Sequence, residues 1–140
     1  VAPVQLNIFN YSSLHTVVRD VKEALNAEVE KSGKSRDKVL DRVNELAKRH
    51  RMPLTGQGGL SKALFEKYLN PEDESRVPGL KALVLICAAL ETSTPLAVIA
   101  TALGGGQLIG PEEARLLEWA RAHRESKRLR QKMRRLEEDM

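Results

Sequence analysis

The chain has 140 residues, of which 41% are hydrophobic and 30% charged. That is enough apolar material for one modest core with an extension, and the Leu, Val and Ala bias with few aromatics suits helices rather than a β-sandwich. A single cysteine, Cys87, excludes an internal disulfide, and the longest apolar run, Ala82 to Leu90, is far too short to cross a bilayer. No charged segment followed by an apolar one opens the sequence, so a cytoplasmic location without a membrane partner is expected.

The net charge of +4 is unevenly spread: residues 1–32 carry −1, 33–70 carry +5, 71–111 carry −2 and 112–140 carry +2. The central stretch thus has the local charge expected where Lys and Arg meet phosphates. An unevenly charged solvated surface is the competing reading.

Residues 1–12 lack a helical period and form an N-terminal arm. Over 13–32, Val17, Val18, Val21, Leu25 and Val29 fall on one side, with Arg19, Lys22, Glu23 and Glu30 elsewhere, and Gly33 closes this helix. Ser35 is a good N-cap for a second helix carrying Val39, Leu40, Val43, Leu46 and Ala47 and ending near His50. Pro53, Gly56, Gly58 and Gly59 interrupt, and a third helix restarts at Ser61 with Phe65, Tyr68 and Leu69 inward, stopping at Asn70-Pro71. Pro78 suits the first turn of a fourth helix, which is apolar on almost every side from Leu80 to Leu90 and so predicted to be the buried centre. Ser93 and Thr94 are candidate caps for a fifth helix that begins at Pro95 and ends at Gly104. These five helices make one domain over 13–104. After the glycines at 104–106, Pro111, Glu112 and Glu113 start a long polar helix within a C-terminal region, 105–140.

The order helix, helix, loop, helix, apolar helix, short helix resembles the N-terminal domain of λ-repressor-like phage and bacterial regulators. The residues that carry the likeness are Val21 to Glu45 (VKEALNAEVEKSGKSRDKVLDRVNE) and Leu60 to Pro71 (LSKALFEKYLNP). The resemblance implies an all-α, five-helix bundle that reads double-stranded operator DNA with helix 61–70, in a transcriptional regulator of phage or mobile-element kind. On that basis Ser61, Lys62, Ala63, Glu66 and Lys67 face the bases, and Lys34, Ser35, Arg36 and Lys38 contact phosphates. The sequence departs from the family where a turn of three or four residues is replaced by the stretch from about Arg51 to Leu60, within which Arg51, Thr55 and Gln57 are candidate DNA contacts.

No catalytic site, cofactor or small-molecule substrate is expected. His15, His50 and His123 lie far apart with no ligand spacing for a metal, Cys87 sits in an apolar run as a small core residue, and the glycines at 104–106 lack the lysine of a phosphate loop. In the last helix a three-four spacing places Trp119, Leu129, Met133, Leu136 and Met140 in one seam, weakened by Ala122 and Ser126 between them. A homodimer through that seam is expected. Its alternatives are a seam folded back on its own bundle and a tail whose many Arg and Lys side chains bind nucleic acid directly. The alternative for the whole chain is a helical protein-interaction module with no nucleic-acid role; RNA binding is less favoured, because the basic segment has no row of exposed aromatics on which bases stack.

Overall fold

The computed structural model describes residues 14–56 and 58–140, so the arm over 1–12 and the expected contact at Gln57 lie outside the described residues. A 3-10 turn, Leu14–Thr16, leads into α1 (Val17–Lys31), followed by α2 (Arg36–Arg49), α3 (Lys62–Leu69), α4 (Leu80–Leu90), α5 (Thr94–Ala102) and α6 (Pro111–Glu138). Among the described residues there is no strand, and the chain is all-α as its periodicity predicts. It forms two compact units, the first ending at Gln107 and the second spanning Leu108–Met140.

Within the first unit α1 packs on α5 and α2 on α4, while α3 touches both α1 and α2. Local chemistry sets the helix ends. The Ser35 hydroxyl accepts the Lys38 N–H at 3.2 Å at the start of α2, and the Ser61 hydroxyl accepts the Leu64 N–H at 3.2 Å at the start of α3. Gly33 takes a left-handed conformation, φ 71°, just past the end of α1. Leu25, Val43, Phe65, Leu69 and Ile86 meet in the core with almost no exposed surface.

Two features of α4 differ from expectation. The helix begins at Leu80, because Gly79 is extended (φ −69°, ψ 174°) and takes the cap position, leaving Pro78 outside the first turn. Ala82, Leu83, Leu85, Ile86, Cys87 and Ala89 are buried, but Leu80, Val84 and Ala88, four residues apart, form one stripe that faces solvent. The burial of Cys87 pushes its thiol pKa up, with a smaller push from Glu28. A thiol held protonated in this way is a poor nucleophile at neutral pH.

Lys22 is the larger correction. Its place three residues before Leu25 and seven before Val29 puts it on the apolar face of α1, and its side chain is fully buried, 0% exposed. The ammonium donates to the carbonyl oxygens of Lys67 at 3.1 Å and Asn70 at 3.3 Å, and to that of Asp73. These carbonyls belong to the last turn of α3 and the connection behind it, where a cation also suits the helix dipole. The connection is fixed in turn by the Asp73 carboxylate, which accepts the Ser75 N–H at 3.0 Å and the Ser75 hydroxyl; those bonds hold its carboxyl below the usual carboxylate range.

Lys22→Met keeps the stem and removes the charge, leaving three buried carbonyls facing a thioether. We expect the unfolding free energy to fall by about 2–4 kcal/mol, read as a lower urea midpoint by circular dichroism.

Candidate nucleic-acid interface

The N-termini of α2 and α3, each closed by a serine, are joined by two ion pairs. The Lys62 ammonium lies 2.9 Å from a carboxylate oxygen of Asp37, in the first turn of α2. One turn further along α3, Glu66 accepts from the guanidinium of Arg36, the first residue of α2. The same guanidinium donates to the Asn26 side-chain oxygen at 2.7 Å, so Arg36 ties α1, α2 and α3 together. Isolated pairs this exposed are worth little. A planar donor that reaches two helices at once nonetheless restricts the orientation of α3.

The entry to α3 is equally defined. Between α2 and α3 the Met52 N–H donates to the Ala47 carbonyl at 2.8 Å, the Leu54 N–H to Gly58 at 3.1 Å, and the Thr55 hydroxyl to Gly59 at 2.8 Å. The Asn44 side chain, from within α2, accepts the Leu60 N–H at 2.8 Å and donates to the Leu60 carbonyl at 3.1 Å. Leu60 is itself buried, and Met52 and Leu54 pack on the core. The long connection is therefore a hydrogen-bonded loop, with Arg51 in a left-handed conformation, φ 55°, and exposed.

Of the residues expected to face bases, Ser61, Lys62, Ala63 and Lys67 are exposed on α3, and Glu66 is half-buried against Arg36. Lys34, Ser35 and Lys38 are exposed at the start of α2, while Arg36 is half-buried. Among these residues five cations stand against Glu66 and the adjacent Asp37, so the excess is positive. Asp37 raises the Lys62 pKa above its ordinary value, through their hydrogen bond first and their charges second. Lys62 therefore stays cationic throughout the neutral range.

Sequence reasoning missed Lys22, Asn26 and Asn44. Lys22 had a readable signal, its register with Leu25 and Val29. Asn44 had a weaker one, a polar residue next to Val43 on the inner side of α2. Asn26 had none. Elsewhere, among the described residues, no three His, Cys, Asp or Glu side chains gather as a metal group. No family model, curated protein or solved structure matches the chain.

The coupling between Arg36 and Glu66 is measurable by a double-mutant cycle. Arg36→Met and Glu66→Gln should each lower stability by about 1 kcal/mol, with a coupling of about 0.5–1 kcal/mol between them in urea unfolding.

Proposed function

We propose that the chain is a sequence-specific DNA-binding transcriptional regulator. In this reading α1 to α5 form a λ-repressor-like bundle, and α2, the ordered loop and α3 act as its helix-turn-helix. The observation that carries the reading is the pair of serine-capped helix N-termini held side by side, with Lys34, Lys38, Lys62 and Lys67 exposed around them. Helix N-termini present free N–H groups and positive potential, which suits phosphate. A recognition helix reads bases from its N-terminal residues.

Each residue then has a role. Lys34, Ser35 and Lys38 contact the phosphate backbone and set register, with Arg51 reaching it from the loop. Ser61, Lys62, Ala63 and Lys67 meet base edges, Lys62 exchanging Asp37 for the acceptors of a guanine. Arg36 and Glu66 are better suited to fixing the angle of α3 than to reading, because each already uses its charge on the other. Two copies associate through α6 so that two half-sites are read together.

A second reading, a protein-interaction module, is favoured by α6. Every residue of α6 is exposed except the half-buried Ala114, and Leu116, Trp119 and Met133 are among its apolar side chains left open to solvent. No helix among the described residues is long and apolar enough to cross a membrane.

Fluorescence titration of a random-sequence duplex across a salt series separates the two readings. Each neutralised phosphate adds about 0.9 to the slope of log affinity against log salt, so the phosphate contacts of Lys34, Lys38 and Arg51 predict a slope of about −2.7 per chain. The Lys62→Glu/Lys67→Glu variant should bind at least about tenfold more weakly with unchanged circular dichroism. Absence of binding at low salt overturns the DNA reading.

A further inference from the structure

Deepening the proposed pairing through α6, and resting on it, we propose that two copies associate as a parallel, in-register two-stranded coiled coil over Trp119 to Met140. The starting point is a helix of 28 residues with no buried side chain, on which Trp119, Leu129, Met133 and Leu136 fall in one stripe while Leu116 and Leu117 lie off it. With Trp119 at heptad position a, the later apolar side chains fall at d (Leu129, Leu136) and a (Met133, Met140). Arg115 occupies the preceding d position, so the seam starts at Trp119.

Charges beside the seam choose the direction. Position g holds Glu118, Glu125, Lys132 and Asp139, and position e holds His123, Arg130 and Glu137. In a parallel pair Glu118, Glu125 and Lys132 each face the e residue five places further along the other helix. Glu125 then meets Arg130 of the second copy, and Lys132 meets its Glu137. Glu118 meets its His123. Two-fold symmetry makes each contact twice.

The antiparallel arrangement that joins the same apolar layers, Trp119 with Leu136 and Ser126 with Leu129, sets Glu118 against Asp139 and His123 against Arg130. Only Glu125 with Lys132 is attractive there. Six further cations between Arg121 and Arg135 lie at b, c and f. They face away from the seam and leave the direction to the e and g residues. Within its own helix Glu125 has Arg128 at 3.8 Å, both well exposed, a contact easily shared with or exchanged for Arg130 of the second copy.

Direction has a consequence for reading DNA. A parallel pair brings both copies of Gly110 to the same end of the coil, so both first units attach there and can reach half-sites on one duplex. In the antiparallel register above, the two copies of Gly110 would lie about 50 Å apart, at opposite ends.

The test uses the full chain. Under mild oxidation Leu129→Cys should give a disulfide-linked homodimer, because position 129 faces itself in the parallel register. A mixture of Ser126→Cys and Leu129→Cys chains should give no preferred mixed product. Cys87 is buried, and the unaltered chain is the control.

In sedimentation equilibrium Arg130→Glu should weaken association about tenfold, and Glu125→Lys/Arg130→Glu should restore it. The antiparallel arrangement predicts no loss for Arg130→Glu. A preferred 126–129 crosslink, or undiminished association of Arg130→Glu, overturns the parallel direction. A monomeric natural chain at high micromolar concentration overturns the pairing itself and leaves the DNA titration to stand or fall separately.

Discussion

The ammonium of Lys22 governs where α3 can sit. An eight-residue helix has too few hydrogen bonds to persist in water without tertiary support, and its last carbonyls have no partners of their own. Lys22 supplies those partners from the middle of α1, using all three of its N–H groups on carbonyls of α3 and the connection that follows. Phe65 and Leu69 fix the side of α3 that faces the core. Apolar contacts tolerate rotation and sliding, whereas three directed bonds to a buried cation do not. Breaking them would strand either a charge or three carbonyls in the interior, so the helix is held at its C-terminal end by a cost rather than by a large gain.

The other end of α3 is restrained differently. Asn44 holds the backbone of Leu60, Ser61 caps the first turn, and Asp37 and Glu66 engage cations across the gap between α2 and α3. These contacts are exposed or half-exposed, and each is weak in water. The contrast suits a surface that exchanges partners: the deep anchor keeps the helix in place while its N-terminus stays open to a competing anion. Asp37 favours the free chain by pairing Lys62 and complementing the α2 dipole, and the same carboxylate repels an approaching phosphate. Any anion that binds here must displace or outweigh it.

What could be read in advance follows the range of the interaction. Ser35 was legible as a cap because capping joins residues three apart, whereas Ser61 was read as a helix start and not as its cap. The inward faces of α1, α2 and α3 were legible because burial repeats with the helical period. Lys22 was read as surface by residue type, and its acceptors lie 45 to 51 residues away. Arg36 and Glu66 carried opposite charges in sequence, but their pairing depends on a packing angle between helices 30 residues apart. The outward stripe of α4 was missed for a related reason. A helix apolar on every side says that it can be buried, not how many neighbours the fold supplies.

The second unit places the opposite demand on the chain. The first unit has a core of its own, but α6 has none and leaves Leu129, Met133 and Leu136 in water. Ala122 and Ser126 thin the seam near its start, so on the proposed reading the free chains associate weakly. Weakness there is compatible with tight joint action on DNA. On that reading two units bound to adjacent half-sites would be held at a high effective concentration, and a seam that joins only concentrated free chains would close fully once both are on the duplex. By linkage a closed seam would return the same free energy to the proposed DNA affinity. A stronger seam would keep the chain dimeric at any concentration, whereas on the proposed reading one thinned by Ala122 and Ser126 would leave dilute chains apart until a target draws them together.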